Sequence, residues 1–181
     1  MKTVTYNLTG SEMHLAVMAG VQRALDAIRS KRQGRYGCED TGFDYQINGC
    51  LGELTVAKHF GCFWNGSFRD LGAVDVGNRY QVRASTYDGP NPGMALHPPD
   101  SDDLPFIKAF VKLPQVTLMG WVLGREGKQT RFWGEKLKPG RPCFLVPHEV
   151  LHGMDELPKQ DKPDNEEAIE EMMAFARETL K

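Results

Sequence analysis

The sequence lacks the long apolar run that a membrane-spanning helix needs. Nowhere in its 181 residues do about 18 consecutive apolar residues occur. The first residues, Met-Lys-Thr-Val-Thr, also lack the apolar stretch of a secretory signal. We therefore expect a soluble, unexported protein that works in a cytoplasm and has no membrane partner. A hydrophobic content of 40% at this length predicts one sizeable core.

Cysteine is scarce and unpatterned. The chain has four cysteines and no CxxC pair, so neither a disulfide framework nor a cysteine-type zinc site is expected. Reduced thiols agree with a cytoplasmic location. The four residues are Cys38, Cys50, Cys62 and Cys143.

A strong net charge is also absent, since the chain carries -2. The small sum hides an acidic end: residues 151–181 hold 4 Lys/Arg against 9 Asp/Glu, and residues 1–150 hold 18 against 15. Within the body, Arg125, Lys128 and Arg131 form a basic patch of the kind that neutralises phosphates. A solvated surface is the alternative explanation of that patch.

Hydrophobic periodicity predicts alternating helices and strands. A helix capped at Thr9 follows a short strand, and a second helix ends at Gly61. We expect a single α/β domain over residues 1–157, with a mixed central β-sheet flanked by helices, then a linker and an acidic helix in residues 158–181. The predicted strands cover residues 3–8, 93–97, 106–113, 116–124 and 142–147. The predicted helices cover residues 11–28, 44–60, 126–137 and 165–180.

Residues 74–85 read as a hairpin, because a glycine-containing turn separates two alternating runs. Gln81 and Arg83 share one face of the second strand, and both can point at an ion held by Asp75 across the hairpin. Carboxylates that gather a divalent cation, with a nearby positive charge, are what metal-dependent phosphodiester hydrolysis needs.

The order of these residues resembles the PD-(D/E)XK nuclease superfamily. A helix carrying Gly52-Glu53-Leu54 precedes Asp75-Val76-Gly77 and then Gln81-Val82-Arg83. The Pro/Asp-rich loop at residues 98–105 and the strand 120–124, Gly-Trp-Val-Leu-Gly, extend the similarity to a group of uncharacterised small proteins of tailed bacteriophages. That similarity spans roughly residues 45–157, a whole domain's length. It implies a restriction-endonuclease-like core.

The resemblance implies an Mg²⁺- or Mn²⁺-dependent nuclease acting on DNA, in the cytoplasm of a bacterial host if the chain is phage-encoded. Asp75 would be the main metal ligand, Gln81 a weaker one and Glu53 an outer ligand, with Arg83 as a phosphate clamp. Two positions depart from the pattern. Gln81 replaces the second acid, which weakens metal binding, and Arg83 replaces lysine, so it cannot act as a base.

These departures leave a second function open. The chain can be a catalytically inactive relative that binds nucleic acid or a host protein through the same face, with Arg83 paired to Asp75 or Glu53. A homodimer stays open as well.

A third function comes from a separate motif. His148-Glu149-Val150-Leu151-His152 matches HExxH, in which two histidines one helical turn apart bind zinc and the glutamate activates water. Pro147 and Gly153 limit any helix there to little more than one turn.

Several aromatic residues lie in or near loops beside Arg or Lys, where they could stack on bases as in single-strand binders. Core packing is the alternative explanation. These residues are Tyr36, Phe43, Phe63, Trp64, Phe68, Tyr87, Phe132 and Trp133.

Overall fold

A computed structural model describes residues 2–30, 42–66, 74–89, 93–135, 137, 139–140 and 142–157. Its α-helices are α1 (Gly10–Arg29), α2 (Phe43–Phe60) and the short α3 (Gly124–Gly127). Two 3-10 helices lie at Thr130–Phe132 and His148–Val150. The strands are β1 (Val4–Asn7), β2 (Gln81–Ser85), β3 (Met94–Leu96), β4 (Pro105–Lys112), β5 (Gln115–Leu123), β6 (Trp133–Gly134) and β7 (Cys143–Val146).

Both long helices begin or end where their residue types predict. The Thr9 hydroxyl accepts a hydrogen bond from the Glu12 backbone N–H at 3.2 Å, and the Glu12 carboxylate accepts one from Thr9 N–H at 2.8 Å. This capping box satisfies two N–H groups that a helix N-terminus leaves free. At the end of α2, Gly61 adopts a left-handed conformation with φ 69°, which glycine tolerates without strain.

The larger sheet has four strands in the order β1-β5-β4-β2. It is mixed: β2 runs parallel to β4, whereas the β4–β5 and β5–β1 pairs are antiparallel. Helix α2 packs on one face of this sheet and α1 packs on α2. The α1–α2 crossing is close at Gly20, where a Cβ would stand 2.5 Å from the Ile47 Cα.

A second, antiparallel sheet in the order β3-β7-β6 lies against the other face. Successive residues of β4 point to opposite faces, so Ile107 joins the core under the helices and Phe106 joins a core under the small sheet. The chain therefore forms three layers: helices, the large sheet and the small sheet. The second core contains Met94, Leu96, Phe106, Val122, Phe132, Val146 and Leu151.

The α/β class and the mixed sheet predicted from the sequence are confirmed. The predicted helix over residues 126–137 is wrong, because Trp133 and Gly134 pair as a strand with β7 and only Gly124–Gly127 is α-helical. The predicted acidic helix at 165–180 lies outside the described residues. In the part of the chain that is described, no helix has the length and apolarity needed to cross a membrane.

Candidate functional site

The predicted hairpin is present, and it fixes Asp75. Val76 and Tyr80 form an isolated antiparallel bridge around a turn in which Gly77 and Asn78 have φ of 57° and 49°. Asp75 Oδ2 accepts a hydrogen bond of 2.7 Å from the Val82 backbone N–H. Because β2 is an edge strand of the large sheet, this N–H would otherwise lack a ladder partner. The hydrogen bond holds the carboxylate at the start of β2.

Glu53 projects from α2 into the core and is 6% exposed. The Arg23 guanidinium donates to both of its oxygens, at 2.6 Å to Oε1 and 2.7 Å to Oε2. The indole N–H of Trp64 donates to Oε2 at 3.0 Å. A bidentate pair of this kind is the strongest geometry available to a buried carboxylate, so both oxygens of Glu53 are engaged.

Neither Arg23 nor Trp64 was predicted to contact Glu53. Arg23 lies three residues after Gly20, the residue at which α1 crosses α2. Residues three apart in a helix share a face. The position of a glycine at a helix crossing was therefore the signal that could have placed Arg23 toward Glu53.

Burial and the neighbouring Glu53 carboxylate raise the pKa of Asp75 from 3.8 to about 6. The Val82 N–H and the charges of Arg83 and Arg23 act in the opposite direction without cancelling this effect. Burial also raises the pKa of the nearby Cys50 thiol to about 12, so that thiol is not a nucleophile at neutral pH. The site thus holds a carboxyl group whose negative charge is poorly compensated.

Arg83 lies on the other face of the large sheet. Val82 and Ala84 face α2, where they approach Gly52, and alternation directs Gln81 and Arg83 away from that helix. The Arg83 guanidinium donates to Asp100 Oδ2 at 2.9 Å and lies 4.9 Å over the Phe106 ring. The sheet therefore separates Arg83 from Glu53, whereas Asp75, at the strand's start, is within electrostatic reach of both.

The basic patch predicted to bind nucleic acid is largely paired within the protein. Arg125 contacts Asp103 at 3.2 Å, and Lys128 contacts Asp102 at 2.5 Å and the Asp100 carbonyl at 2.6 Å. Arg131 stacks on Phe132 at 4.6 Å. Aspartates of the loop before β4 thus neutralise charges that appeared free in the sequence.

The HExxH segment does not form the helix that its zinc chemistry requires. His148–Val150 is a single 3-10 turn, and Leu151 is extended with ψ 141°. His152 then forms a β-bridge with Trp121, and its Nε2 lies 3.1 Å from Glu126 Oε2. The two histidines therefore do not share a helical face. Among the described residues, no three His, Cys, Asp or Glu side chains are arranged to hold a metal ion.

Lys108 is a further residue that the sequence analysis missed. It lies beside Arg83 in the parallel β2–β4 ladder and is 3% exposed. Burial lowers the pKa of its ammonium group, while the charge of Glu149 acts to raise it. Burial and the Lys108 charge lower the pKa of His148. These side chains form a polar strip between the two sheets, away from Glu53.

The donor atoms near Asp75 partly fit a hard divalent cation. Asp75 supplies a carboxylate, whereas Glu53 is committed to Arg23 and Trp64, and alternation along β2 directs Gln81 away from α2. Mg²⁺ commonly binds through one or two carboxylates and takes its remaining ligands from water and substrate phosphate. Such a site suits a cation bound together with a phosphate group.

The fold and site define an α/β protein with a buried Glu53 on a helix and a half-buried Asp75 at the edge of a mixed sheet. Comparison with known protein families, with curated protein sequences and with solved structures finds no match to this chain.

Proposed function

We propose that this chain is a divalent-metal-dependent nuclease of the phage type, with a restriction-endonuclease-like core and a degenerate PD-(D/E)XK site, that hydrolyses DNA phosphodiester bonds. The observation that carries the proposal is the placement of Asp75 on the hairpin, next to Glu53 on α2. Glu53 is buried and paired with Arg23, and the half-buried Asp75 carries a negative charge that an added cation would compensate.

Each residue has a defined role in this proposal. Asp75 and Gln81 bind the cation. Glu53 contributes only its negative charge and does not contact the cation, because Arg23 holds both of its oxygens. Arg83 binds phosphate after exchanging its Asp100 partner. Mg²⁺ or Mn²⁺ bound there would polarise the phosphodiester and lower the pKa of a bound water. Arg83 stays charged, so it stabilises negative charge and does not remove a proton.

A second function, nucleic-acid binding without cleavage, is favoured by one specific observation. Both guanidinium groups of the site already have carboxylate partners, Arg23 with Glu53 and Arg83 with Asp100. This is the arrangement expected if the ion pairs stabilise the fold and the site no longer binds metal. In the other form of this second function, the same face binds a host protein instead of nucleic acid. We do not propose the zinc hydrolase, because the HExxH segment lacks the required helix.

DNA cleavage separates the two functions. Purified protein is incubated with plasmid and with single-stranded DNA in Mg²⁺ or Mn²⁺, beside Asp75→Asn and the matched control Asp88→Asn, whose carboxylate is exposed. We expect cleavage by the wild type and the control, and a loss of at least about 100-fold in Asp75→Asn, because a metal ligand is removed. DNA binding without cleavage in either metal would favour the second function.

A gain-of-function variant tests how far the site has departed from the nuclease pattern. Gln81→Glu with Arg83→Lys restores both residue types of the pattern. We expect faster metal-dependent cleavage, because a second carboxylate strengthens cation binding. If this double variant is as slow as the wild type, the surrounding geometry rather than these two residue types limits the site.

A further inference from the structure

The loop between β3 and β4 carries three aspartates, and each of them pairs with a different cation. We call residues 98–103 of this connection the aspartate loop. Two of the cations lie on or directly after α3, and the third lies on β2. The pairs are Arg83–Asp100 at 2.9 Å, Lys128–Asp102 at 2.5 Å and Arg125–Asp103 at 3.2 Å.

These contacts place the three cations side by side. The Lys128 ammonium donates to the Asp100 carbonyl at 2.6 Å, and the carboxylate of the same aspartate holds Arg83. Arg125 then contacts the last residue of the aspartate loop. The residue proposed as phosphate clamp and two residues of the basic patch therefore form one row of positive charge along this loop.

The backbone of the aspartate loop is held without its exposed carboxylates. The Arg125 N–H donates to the Asp102 carbonyl at 2.9 Å, and the Gly124 N–H donates to the Leu104 carbonyl at 3.0 Å. A Cβ at Gly124 would overlap the Ser101 carbonyl oxygen, so the loop and the start of α3 are in direct contact. The loop therefore stays in place when a carboxylate turns away.

Lys128 shows which contacts can change. Its ammonium contacts the Pro98 carbonyl at 3.3 Å and the Asp100 carbonyl, besides the Asp102 carboxylate. A lysine ammonium has three N–H donors, so the loop backbone takes two of them and a carboxylate takes the third. A phosphate oxygen can replace that carboxylate without disturbing the other two contacts.

The two outer carboxylates are open to solvent. The side chain of Asp102 is 61% exposed and that of Asp103 is 83% exposed. An ion pair of this kind adds little to stability, because water screens it and two side chains must be ordered to make it. Phosphate groups can therefore replace these carboxylates at little cost to the fold.

We propose that the aspartate loop is an autoinhibitory mimic of a nucleic-acid backbone. Its carboxylates occupy the cations that bind phosphates, and DNA binds by replacing Asp102 and Asp103. This inference rests on the proposed function, because it takes DNA as the ligand, and it adds how binding there is held in check. Contacts with phosphates carry no sequence information, so the exchange depends on salt and not on base sequence.

A double variant of the aspartate loop frees two cations. Asp102→Asn with Asp103→Asn removes both exposed carboxylates and keeps the side-chain size. Asp100 is left unchanged, because its carboxylate also accepts a hydrogen bond of 2.9 Å from the His97 N–H. The single variant Asp103→Asn repeats the test if the double variant is less stable than the wild type.

The matched control removes the same charge from two ion pairs elsewhere. It is Asp26→Asn with Asp155→Asn, whose partners are Arg29 at 3.7 Å and Lys2 at 3.9 Å. Binding of a labelled DNA duplex is measured by fluorescence anisotropy over a range of salt concentrations. The buffer contains no divalent metal, so that no cleavage takes place.

We expect the loop variant to bind DNA about fivefold or more tightly than the wild type at low salt, and the control to change binding by less than about twofold. The slope of log K against log salt should become steeper by about two, because two freed cations now release counterions on binding. Adding Arg125→Gln and Lys128→Gln to the loop variant should abolish the gain, because the two pairs of residues are coupled.

The inference is overturned if the loop variant and the control bind DNA equally, or if the gain survives Arg125→Gln with Lys128→Gln, since net charge alone would then explain it. Tighter binding by the loop variant, with no cleavage by any of these proteins in Mg²⁺ or Mn²⁺, supports the inference and removes the nuclease. Cleavage by the wild type, with equal binding by the loop variant and the control, removes the inference and leaves the nuclease. The absence of DNA binding in all the variants removes both.

Discussion

Asp75 shows how one residue's surroundings set its chemistry. Its backbone hydrogen bond from Val82 favours the ionised form, but burial and the charge of Glu53 outweigh that bond. The result is a pKa of about 6 in place of 3.8. A carboxylate in this state gains from any cation that binds near it.

The raised pKa of Asp75 predicts a stability that falls as pH rises. The unfolded chain loses this proton near pH 3.8 and the folded chain near pH 6, so between these values the folded state binds more protons. The free energy of unfolding therefore falls across this window, by roughly 3 kcal/mol for a shift of about two units. Urea unfolding from about pH 4 to about pH 8 measures it.

Asp75→Asn removes this titration while it keeps an oxygen for the Val82 N–H. We expect the variant to lack the fall between pH 4 and 6 and to be more stable than the wild type at pH 8, with Asp88→Asn following the wild type. Parallel curves for all three proteins would show that Asp75 titrates normally.

At the residue scale, Glu53 and Asp75 were predicted from the order of motifs as members of one site. In the structure the charge of Glu53 on α2 acts on Asp75 at the start of β2. Arg23 and Trp64 were not predicted, because their contacts with Glu53 join residues 30 and 11 positions away in the chain. The expected pairing of Arg83 with Asp75 or Glu53 is wrong, because Arg83 pairs with Asp100 in a loop whose path no local pattern reveals.

At the element scale, the depth of Glu53 depends on how closely α2 approaches the sheet. A Cβ at Gly52 would meet the Ala84 Cβ at 3.0 Å and the Ala109 Cβ and Val82 Cγ1 at 3.2 Å. Glycine is therefore required for this close approach. The residue beside Glu53 thus sets the distance between the helix and the strand that carries the rest of the site.

Two glycines of α2 give a matched test of this close approach. Gly52→Ala overpacks the helix against β2 and β4, at a cost of about 1–3 kcal/mol. Gly49→Ala has no atom within 4 Å of the new Cβ and gains up to about 1 kcal/mol of helix propensity. In urea unfolding we expect Gly52→Ala to be the less stable by about 2 kcal/mol. Equal stabilities would mean that α2 can move away from the sheet without cost.

Local sequence patterns predicted most of the helices and strands, because each of these follows the hydrophobic period of a helix or of a strand along its whole length. The two long helices and the predicted strands, including β1, agree with the sequence within a few residues, except near residue 130. There Gly127 and Gly134 interrupt a helical pattern, and pairing with β7 determines the structure. The register shift between Lys108 and Ala109 lies opposite Gly120 of β5, and a glycine inside a strand is the sequence signal that could have predicted it.

At the scale of the whole molecule, residues 148–157 join the two cores. Leu151 packs in the core under the small sheet, while Met154 and Leu157 pack in the core under the helices. The Trp121 indole donates to the Gly153 carbonyl at 3.0 Å, and the Met154 N–H donates to the Lys2 carbonyl at 2.9 Å. The segment thus ties β5 to the start of the chain.

Shortened chains measure what this segment contributes. A chain ending at Leu157 keeps the three buried side chains, and a chain ending at Pro147 loses them. At about 1.5–3 kcal/mol for each buried side chain the loss is roughly 5–9 kcal/mol, comparable with a typical total stability of about 5–15 kcal/mol. We expect the longer chain to unfold cooperatively by circular dichroism and the shorter one to be unfolded. Cooperative unfolding of both would show that the segment is peripheral.

The sequence by itself determined the α/β class, the two long helices with their ends and the turn before β2, because these depend on local periodicity, capping and turn chemistry. Only the tertiary structure decided that Arg23 and Trp64 hold Glu53 and that Arg83 lies across the sheet with Asp100. These features depend on contacts between residues far apart in the chain, and side-chain burial and charge are set there rather than in any local pattern.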